Sequence, residues 1–273
     1  MRFSVLMSVY KRDNADFLRE ALVSIYEGQT RKPDEIVVIF DGPLTEALYN
    51  VLDEYAKDKN DVVRYFPQEV NKGLGEALRI GVGYCTGDYI FRMDSDDVCH
   101  PQRFEKQAAY VEQHPEIDVL GTDISEFEQS YTDEKMRARV CPAKHEDILK
   151  MCKKRNPMNH MSVCIKRDSL IGIGGYEPLY LLEDYYLWAR MISSGCLFAN
   201  INESLIYVRI GNGFYSRRGT NARIKSFKVL QKYMLEKNMI TKREARVNML
   251  YSRVFTYTPA WLRKFFYNSF LRK

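Results

Sequence analysis

An apolar run over residues 3–9 opens the chain, and behind it Phe17, Leu18, Ala21, Leu22 and Ile25 recur at helical spacing. The pattern predicts a strand, a loop and a helix that share one core. A second run, Ile36-Val-Val-Ile-Phe40, is continuously apolar and largely β-branched, as a strand covered on both faces must be; it stops at Asp41-Gly42 before a predicted helix over about 44–57. Residues 62–66 supply a third strand, Asn71-Lys-Gly-Leu-Gly75 a turn, 76–84 a helix and 88–93 a fourth strand. Strand and helix thus alternate over about the first 100 residues. That rhythm predicts a parallel sheet covered by helices.

The second half is less regular. A helix is expected from Pro101 to about residue 112, a strand over 118–124, a polar, turn-rich stretch over 125–144 and a helix over 146–153. A strand over 161–165, a loop at Gly172-Ile-Gly-Gly175, a helix over 183–194 and an interrupted strand over 197–210 follow. From about Thr220 the pattern is helical, with a break near Pro259. No repeat or low-complexity linker divides the chain, so one large domain over 1–219 with a helical extension over 220–273 is the simplest organisation.

The fourth strand ends in Tyr89-Ile-Phe-Arg-Met-Asp94-Ser-Asp96-Asp97, three carboxylates within four positions. In open α/β sheets ligands gather beyond the carboxyl ends of strands, and clustered acids there repel one another unless a cation sits among them. Mg²⁺ or Mn²⁺ carrying a diphosphate suits such oxygen ligands, with an acidic surface turn as the plainer alternative. An EF-hand fails on spacing, because Val98 and Cys99 stand where a ligand and a glycine are required. Asp41 closes its strand in the same way and can accept a hydrogen bond from a nucleobase, or simply serve the turn at Gly42. Leu78 interrupts the G-x-G-x-x-G that Gly73 and Gly75 begin, and no Walker A loop is present. Glu183-Asp184 start an amphipathic helix; acids there suit the helix dipole, and one shielded by aromatics can also act as a general base. Arg209, Arg217 and Arg218 surround Gly211-Asn-Gly213, where arginines can clamp phosphate or remain solvated.

Composition narrows the classes. With 273 residues, 45% hydrophobic and 28% charged, the chain is globular, and a net charge of +5 spread along most of it does not indicate nucleic-acid binding. The exception is residues 245–273, which hold no acid and interleave Arg246, Arg253, Arg263, Lys264, Arg272 and Lys273 with aromatics. With Thr258 as N-cap and Pro259 at the first helical position, that tail predicts an amphipathic helix that meets anionic headgroups, or packs on the core or a dimer partner. Six scattered cysteines without a C-x-x-C pair, and no leader before the first strand, point to a reducing cytoplasm. No apolar run approaches the roughly 20 residues that span a bilayer.

Taken in order, these motifs resemble the family 2 inverting glycosyltransferases, especially the bacterial branch that builds capsules, exopolysaccharides and O-antigens, of amylovoran type. The likeness covers about residues 1–219 and rests on Phe3-Ser-Val-Leu-Met-Ser-Val-Tyr10, the run ending at Asp41, Asn71-Lys-Gly-Leu-Gly75, Arg92-Met-Asp-Ser-Asp-Asp97 with Pro101 and Arg103, Asn156-Pro-Met-Asn-His160, Gly174-Gly-Tyr176, Glu183-Asp184-Tyr-Tyr-Leu-Trp188, and Gly211-Asn-Gly-Phe-Tyr-Ser-Arg-Arg218. It implies a GT-A fold, a Rossmann-like α/β architecture with a mostly parallel central sheet flanked by helices. It further implies Asp184 as catalytic base, Asp94 and Asp96 as the D-x-D site for Mn²⁺ or Mg²⁺, and Tyr10, Arg12, Asp41, Lys72, Asp94 and Ser95 about the nucleotide. Arg92, His160, Gly174, Gly175, Tyr176, Glu183, Arg217 and Arg218 are the implied donor and acceptor pocket.

The implied reaction moves a hexose-type sugar from a nucleotide-sugar donor, a UDP-sugar by family habit, to a polyprenyl-diphosphate-linked sugar or oligosaccharide acceptor. The implied place is the cytoplasmic face of the bacterial inner membrane. Phe40 stands where many relatives have an aspartate and Arg79 where asparagine is frequent, which bears on donor identity. The absence of Q-x-x-R-W separates the chain from processive synthases. A sugar-nucleotide nucleotidyltransferase and a non-catalytic glycan- or lipid-binding subunit of the same fold are the alternative readings.

Overall fold

The structure, a computed structural model, describes residues 1–59, 61–132, 136–210 and 220–258. β1 (Phe3–Val9), α1 (Ala15–Ile25), β2 (Glu35–Phe40), α2 (Glu46–Ala56), β3 (Val63–Pro67), α3 (Leu74–Tyr84) and β4 (Tyr89–Met93) realise the alternation of the sequence. Asn14 caps α1 by accepting from the Asp16 and Phe17 N–H groups, and Thr45 caps α2 through Leu48 N–H. The strands lie in the order β3-β2-β1-β4, all parallel, with Val9 opposite Phe40 and Met7 opposite Met93. The carboxyl ends that carry Tyr10, Asp41 and Asp94 therefore share one edge.

The remainder widens the sheet. β5 (Val98–Cys99), α4 (Arg103–Gln113), β6 (Val119–Phe127), β7 (Arg137–Arg139), α5 (His145–Cys152), β8 (Cys164–Lys166), α6 (Arg167–Gly172), α7 (Glu183–Ser193) and β9 (Phe198–Arg209) follow in turn. Beyond β4 the order continues β8-β6-β9-β5, with β7 beside β6; β8 is antiparallel to both neighbours, while β6 and β9 are parallel. Two expectations change here. The polar stretch at 125–144 holds the end of β6 and all of β7, because β9 pairs with β6 as far as Phe127 opposite Arg209. The strand expected from 161 begins only at Cys164, because Ser162 Oγ bonds the Asn159 and Thr122 carbonyls and holds His160–Ser162 as a 3₁₀ turn.

The sheet separates two apolar layers. Phe3, Val5, Met7 and Val9 of β1 pack with α1, α2 and α4, and Leu6 packs with Val37, Ile39, α3 and α7 on the other face. A third cluster joins the far side of α7, through Tyr185 and Ala189, to α8 (Asn221–Glu236) and α9 (Lys242–Tyr257). A capping box between Thr241 and Glu244 starts α9, and the Thr258 N–H closes it on the Val254 carbonyl. Thr258 is thus the C-cap of α9, and the amphipathic helix expected from Pro259 lies outside the described residues. No helix of the described residues is long and apolar enough to cross a membrane.

Arg103 of α4 ties the first core layer to the acidic edge. It is fully buried; its Nε donates to Gln107 Oε1 at 2.9 Å and its Nη2 to the Arg92 carbonyl at 2.8 Å. Arg103→Leu leaves both acceptors without a donor in a dry site. The expected loss is about 2–4 kcal/mol of unfolding free energy, read from urea titration; a midpoint equal to wild type would show that Arg103 is not a structural tie.

Candidate active site

The loop after β4 carries the acids. Asp94, Asp96 and Asp97 each offer a carboxylate oxygen, and these oxygens lie within 4.8 Å of one another. Asp97, paired with neither partner in the sequence reading, is buried: its Oδ1 accepts from the Arg209 N–H at 3.0 Å and its Oδ2 has no hydrogen-bond partner. Burial, followed by the Asp96 and Asp94 charges, raises its pKa well above the carboxylate range. Arg92, itself buried, forms an ion pair with Asp94, and among the described residues its Nε has no hydrogen-bond partner.

Residues from β1 and β2 complete this edge. Asp13 Oδ2 accepts from the Tyr10 N–H at 3.0 Å and from Ser95 Oγ at 2.8 Å, so the hydroxyl of Ser95 ties the two loops together. Burial raises Asp13 to about 7, with those hydrogen bonds opposing and the Asp96 and Asp94 charges adding to the rise. Asp41 is buried and organises the next turn: its carboxylate accepts from Asn71 Nδ2 and from the N–H groups of Lys72 and Gly73. Gly42 lies at φ +82°, and a Cβ there would meet Asn71 N at 2.6 Å, so the turn closes directly over a glycine. Arg12 and the Lys72 side chain are exposed beside this edge, while Tyr10 is half-buried.

Across from the metal-type cluster stands a second pair of acids at the first turn of α7. Asp184 accepts from Asn156 Nδ2 at 2.5 Å and from the Tyr185 N–H at 2.6 Å. Glu183, next to it, is raised to about 7 by burial first and by the Asp184 charge second. His160 Nε2 lies 2.9 Å from the Tyr176 hydroxyl, and burial together with the Arg92 charge keeps the imidazole neutral, well below its ordinary pKa. Gly174 and Gly175, at φ +85° and +70°, turn the chain so that Arg190 of α7 donates to the carbonyls of Ile173 and Gly175. The glycines thereby fix Tyr176 over His160. Arg92, Asp94, His160, Glu183 and Asp184 all open onto one cavity of about 1080 Å³.

One sequence expectation meets a different outcome, and one falls outside the described residues. Arg209 is engaged rather than offered to phosphate: its guanidinium pairs with Glu20, donates to the Asp96 carbonyl and stacks 3.7 Å from the Phe17 ring centroid. Arg217 and Arg218 lie outside the described residues. The residues missed from sequence are Asp13, read only as part of a loop, and Asn156, quoted only within a motif. Asp97 belonged to the acidic run without a role of its own.

By backbone, the molecule falls among the GT-A glycosyltransferases. S. aureus TarS 1-349 in complex with UDP-GlcNAc matches 98% of this chain and 75% of that one with a TM-score of 0.69 at 17% identity. The chain belongs to glycosyl transferase family 2, whose model matches residues 4–171. It is 40% identical over 220 residues, 80% of each chain, to the amylovoran biosynthesis glycosyltransferase AmsE of Erwinia amylovora. It is also 34% identical, over 100% of its own length and 97% of the relative's, to the UDP-Gal:alpha-D-GlcNAc-diphosphoundecaprenol beta-1,3-galactosyltransferase of Escherichia coli.

The proton held by Glu183 has a testable signature. In the fold it ionises near 7 instead of near 4.5, so its stabilising contribution is complete below about pH 4.5 and is lost as pH rises through about 7. Glu183→Gln keeps the shape without the proton. Relative to wild type, the variant is expected to gain about 1–3 kcal/mol between pH 4.5 and pH 8, measured by urea unfolding at both values. An equal offset at the two pH values would show that Glu183 does not carry this proton.

Proposed function

We propose that the protein is an inverting, metal-dependent glycosyltransferase that moves a hexose-type sugar from a UDP-sugar to a hydroxyl of a sugar carried on a polyprenyl diphosphate, in the synthesis of a bacterial surface polysaccharide. The observation that carries this reading is the cavity shared by Asp94 of the acidic cluster and Asp184 of α7. A base on one side and a cation site on the other are what a single in-line displacement needs.

Asp184 is the base in this reading. Asn156 and the Tyr185 N–H fix its carboxylate, leaving lone pairs to take the proton of the acceptor hydroxyl as that oxygen attacks the anomeric carbon. Burial and the Asp184 charge raise Glu183 to about 7, which lessens the negative charge beside Asp184. Attack from the face opposite the leaving diphosphate inverts the anomeric centre. Tyr10, Asp41 and the 71–73 turn border the space for the nucleotide, and Arg92 adds fixed positive charge below the reacting end.

The donor set suits a hard divalent cation. Three carboxylates converge, and the buried Asp97 Oδ2 has no other partner, so Asp96 and Asp94, with Asp97 behind them, are the residues that would hold Mn²⁺ or Mg²⁺. When bound, such an ion supplies Lewis-acid stabilisation to the departing diphosphate. The Pyrobaculum calidifontis mannosyltransferase in complex with GDP-Man and Mn2+, a fold relative with a TM-score of 0.62, is in keeping with this. Placement at the cytoplasmic face of the inner membrane follows from the lipid-linked acceptor in this reading.

The two acid sites make separable predictions. Asp184→Asn is expected to lower sugar transfer about 10²–10⁴-fold while UDP binding stays near wild type. Asp96→Ala is expected to abolish the Mn²⁺-dependent part of UDP binding as well. Product release from a panel of nucleotide-sugars, together with calorimetric titration of UDP with Mn²⁺ or EDTA, reads both. Equal loss of UDP affinity in the two variants would break this division of roles.

A further inference from the structure

Of the residues assigned to the nucleotide only Asp94 lines the cavity. Acidic, cationic and apolar side chains share its wall. Asp94, Glu183 and Asp184 stand at the reacting end. The chain then runs from Asn156, bonded to Asp184 at 2.5 Å, back to Lys153, whose carbonyl accepts from Asn248 Nδ2 of α9 at 2.7 Å. Three residues span at most about 10 Å, so Lys154 and Arg155 sit between the base and α9. Both are exposed and line the cavity, as does Arg243 in the first turn of α9, and among the described residues none of the three is in an ion pair. Glu244, the acid that α9 adds to this wall, is turned back onto Thr241 as its capping box.

Beyond the cations the wall becomes apolar. Arg243, Val247, Tyr251 and Phe255 follow at four-residue spacing, one stripe of α9 about 18 Å long. Val247 is 43% and Tyr251 71% exposed, and Leu250, Val254 and Tyr257 extend the exposed apolar surface. Within the same wall, Ser252 Oγ is buried with no hydrogen-bond partner. Acid, cation and hydrocarbon thus share one cavity, the three chemistries that the hydroxyl, diphosphate and lipid of a lipid-linked sugar call for.

We propose that this cavity is an acceptor cradle in which Lys154, Arg155 and Arg243 hold the diphosphate of a lipid-linked sugar while Val247 and Tyr251 hold the first part of its hydrocarbon chain. The inference rests on the glycosyl-transfer reading above and assigns its acceptor subsite. It sets the diphosphate against the segment that leads to Asn156, the partner of Asp184, and the lipid along α9.

The test uses the full chain saturated with UDP and Mn²⁺, so that the donor site is filled, and titrates farnesyl diphosphate, farnesol and inorganic pyrophosphate. Farnesyl diphosphate is expected to bind at least tenfold more tightly than either of the others. Charge-assisted contacts of this kind are worth about tenfold or more each, so Lys154→Glu with Arg155→Glu and Arg243→Glu is expected to weaken farnesyl diphosphate at least 100-fold. UDP affinity within about threefold of wild type reports an intact fold, and Arg243→Glu alone serves if the triple variant loses UDP. Tyr251→Asp is expected to remove the preference for farnesyl diphosphate over pyrophosphate. Unchanged farnesyl diphosphate binding in a charge-reversed protein that still binds UDP would overturn the cradle and leave the transfer reading standing. Failure of the wild type to bind any nucleoside diphosphate would overturn the transfer reading, and the cradle with it.

Discussion

The architecture turns on keeping several like charges together at one edge of a sheet. Asp13, Asp94, Asp96 and Asp97 converge from two loops, and burial raises the carboxyl groups of Asp13 and Asp97 well above their usual range. The fold answers with fixed cations and donors beneath them. Arg92 pairs with Asp94, Arg103 anchors the Arg92 carbonyl, and the Arg209 backbone N–H reaches Asp97. Each of these groups comes from a different part of the chain, so the edge forms only once β1, β4 and β9 are assembled.

That dependence explains what the sequence shows and what it hides. The parallel half of the sheet is legible because, with Ser4, Ser8 and Arg92 among the exceptions, β1, β2 and β4 are mostly apolar runs buried on both faces. The acidic run is legible because it interrupts one of them. Asp13 is not, since only the parallel pairing of β1 with β4 brings it to Ser95, 82 positions away. Asn156 is hidden for the same reason, its partner being 28 positions further on. β7 and the end of β6 are polar, and the pairing of β6 with β9 on one side and β7 on the other makes them strands where their own composition does not. Arg209 reads as a loop arginine, yet two aromatic rings and Glu20 enclose it.

The second half of the chain adds a second wall opposite the acidic edge. α7 is shared: one face completes the core beneath Leu6 and Trp188, the other receives α8 and α9, and its first turn presents Asp184 to the cavity. The Arg190 latch on the glycine turn couples that helix to Tyr176 and His160. Asp184 and the glycine turn are therefore tied to one helix, with Asn156 bonding Asp184 from outside it.

α9 is turned the opposite way from an ordinary surface helix. Its inward stripe is Asn248, Ser252 and Thr256, while Leu250, Tyr251, Val254 and Tyr257 face out. Apolar burial, the usual adhesive between a helix and a domain, is here limited mainly to Ala245 and Met249, with the two hydrogen bonds of Asn248 beside them. The consequence is an uneven distribution of local stability: amide protons of α9 should exchange through an opening event far cheaper than the one that exposes β1 or β4.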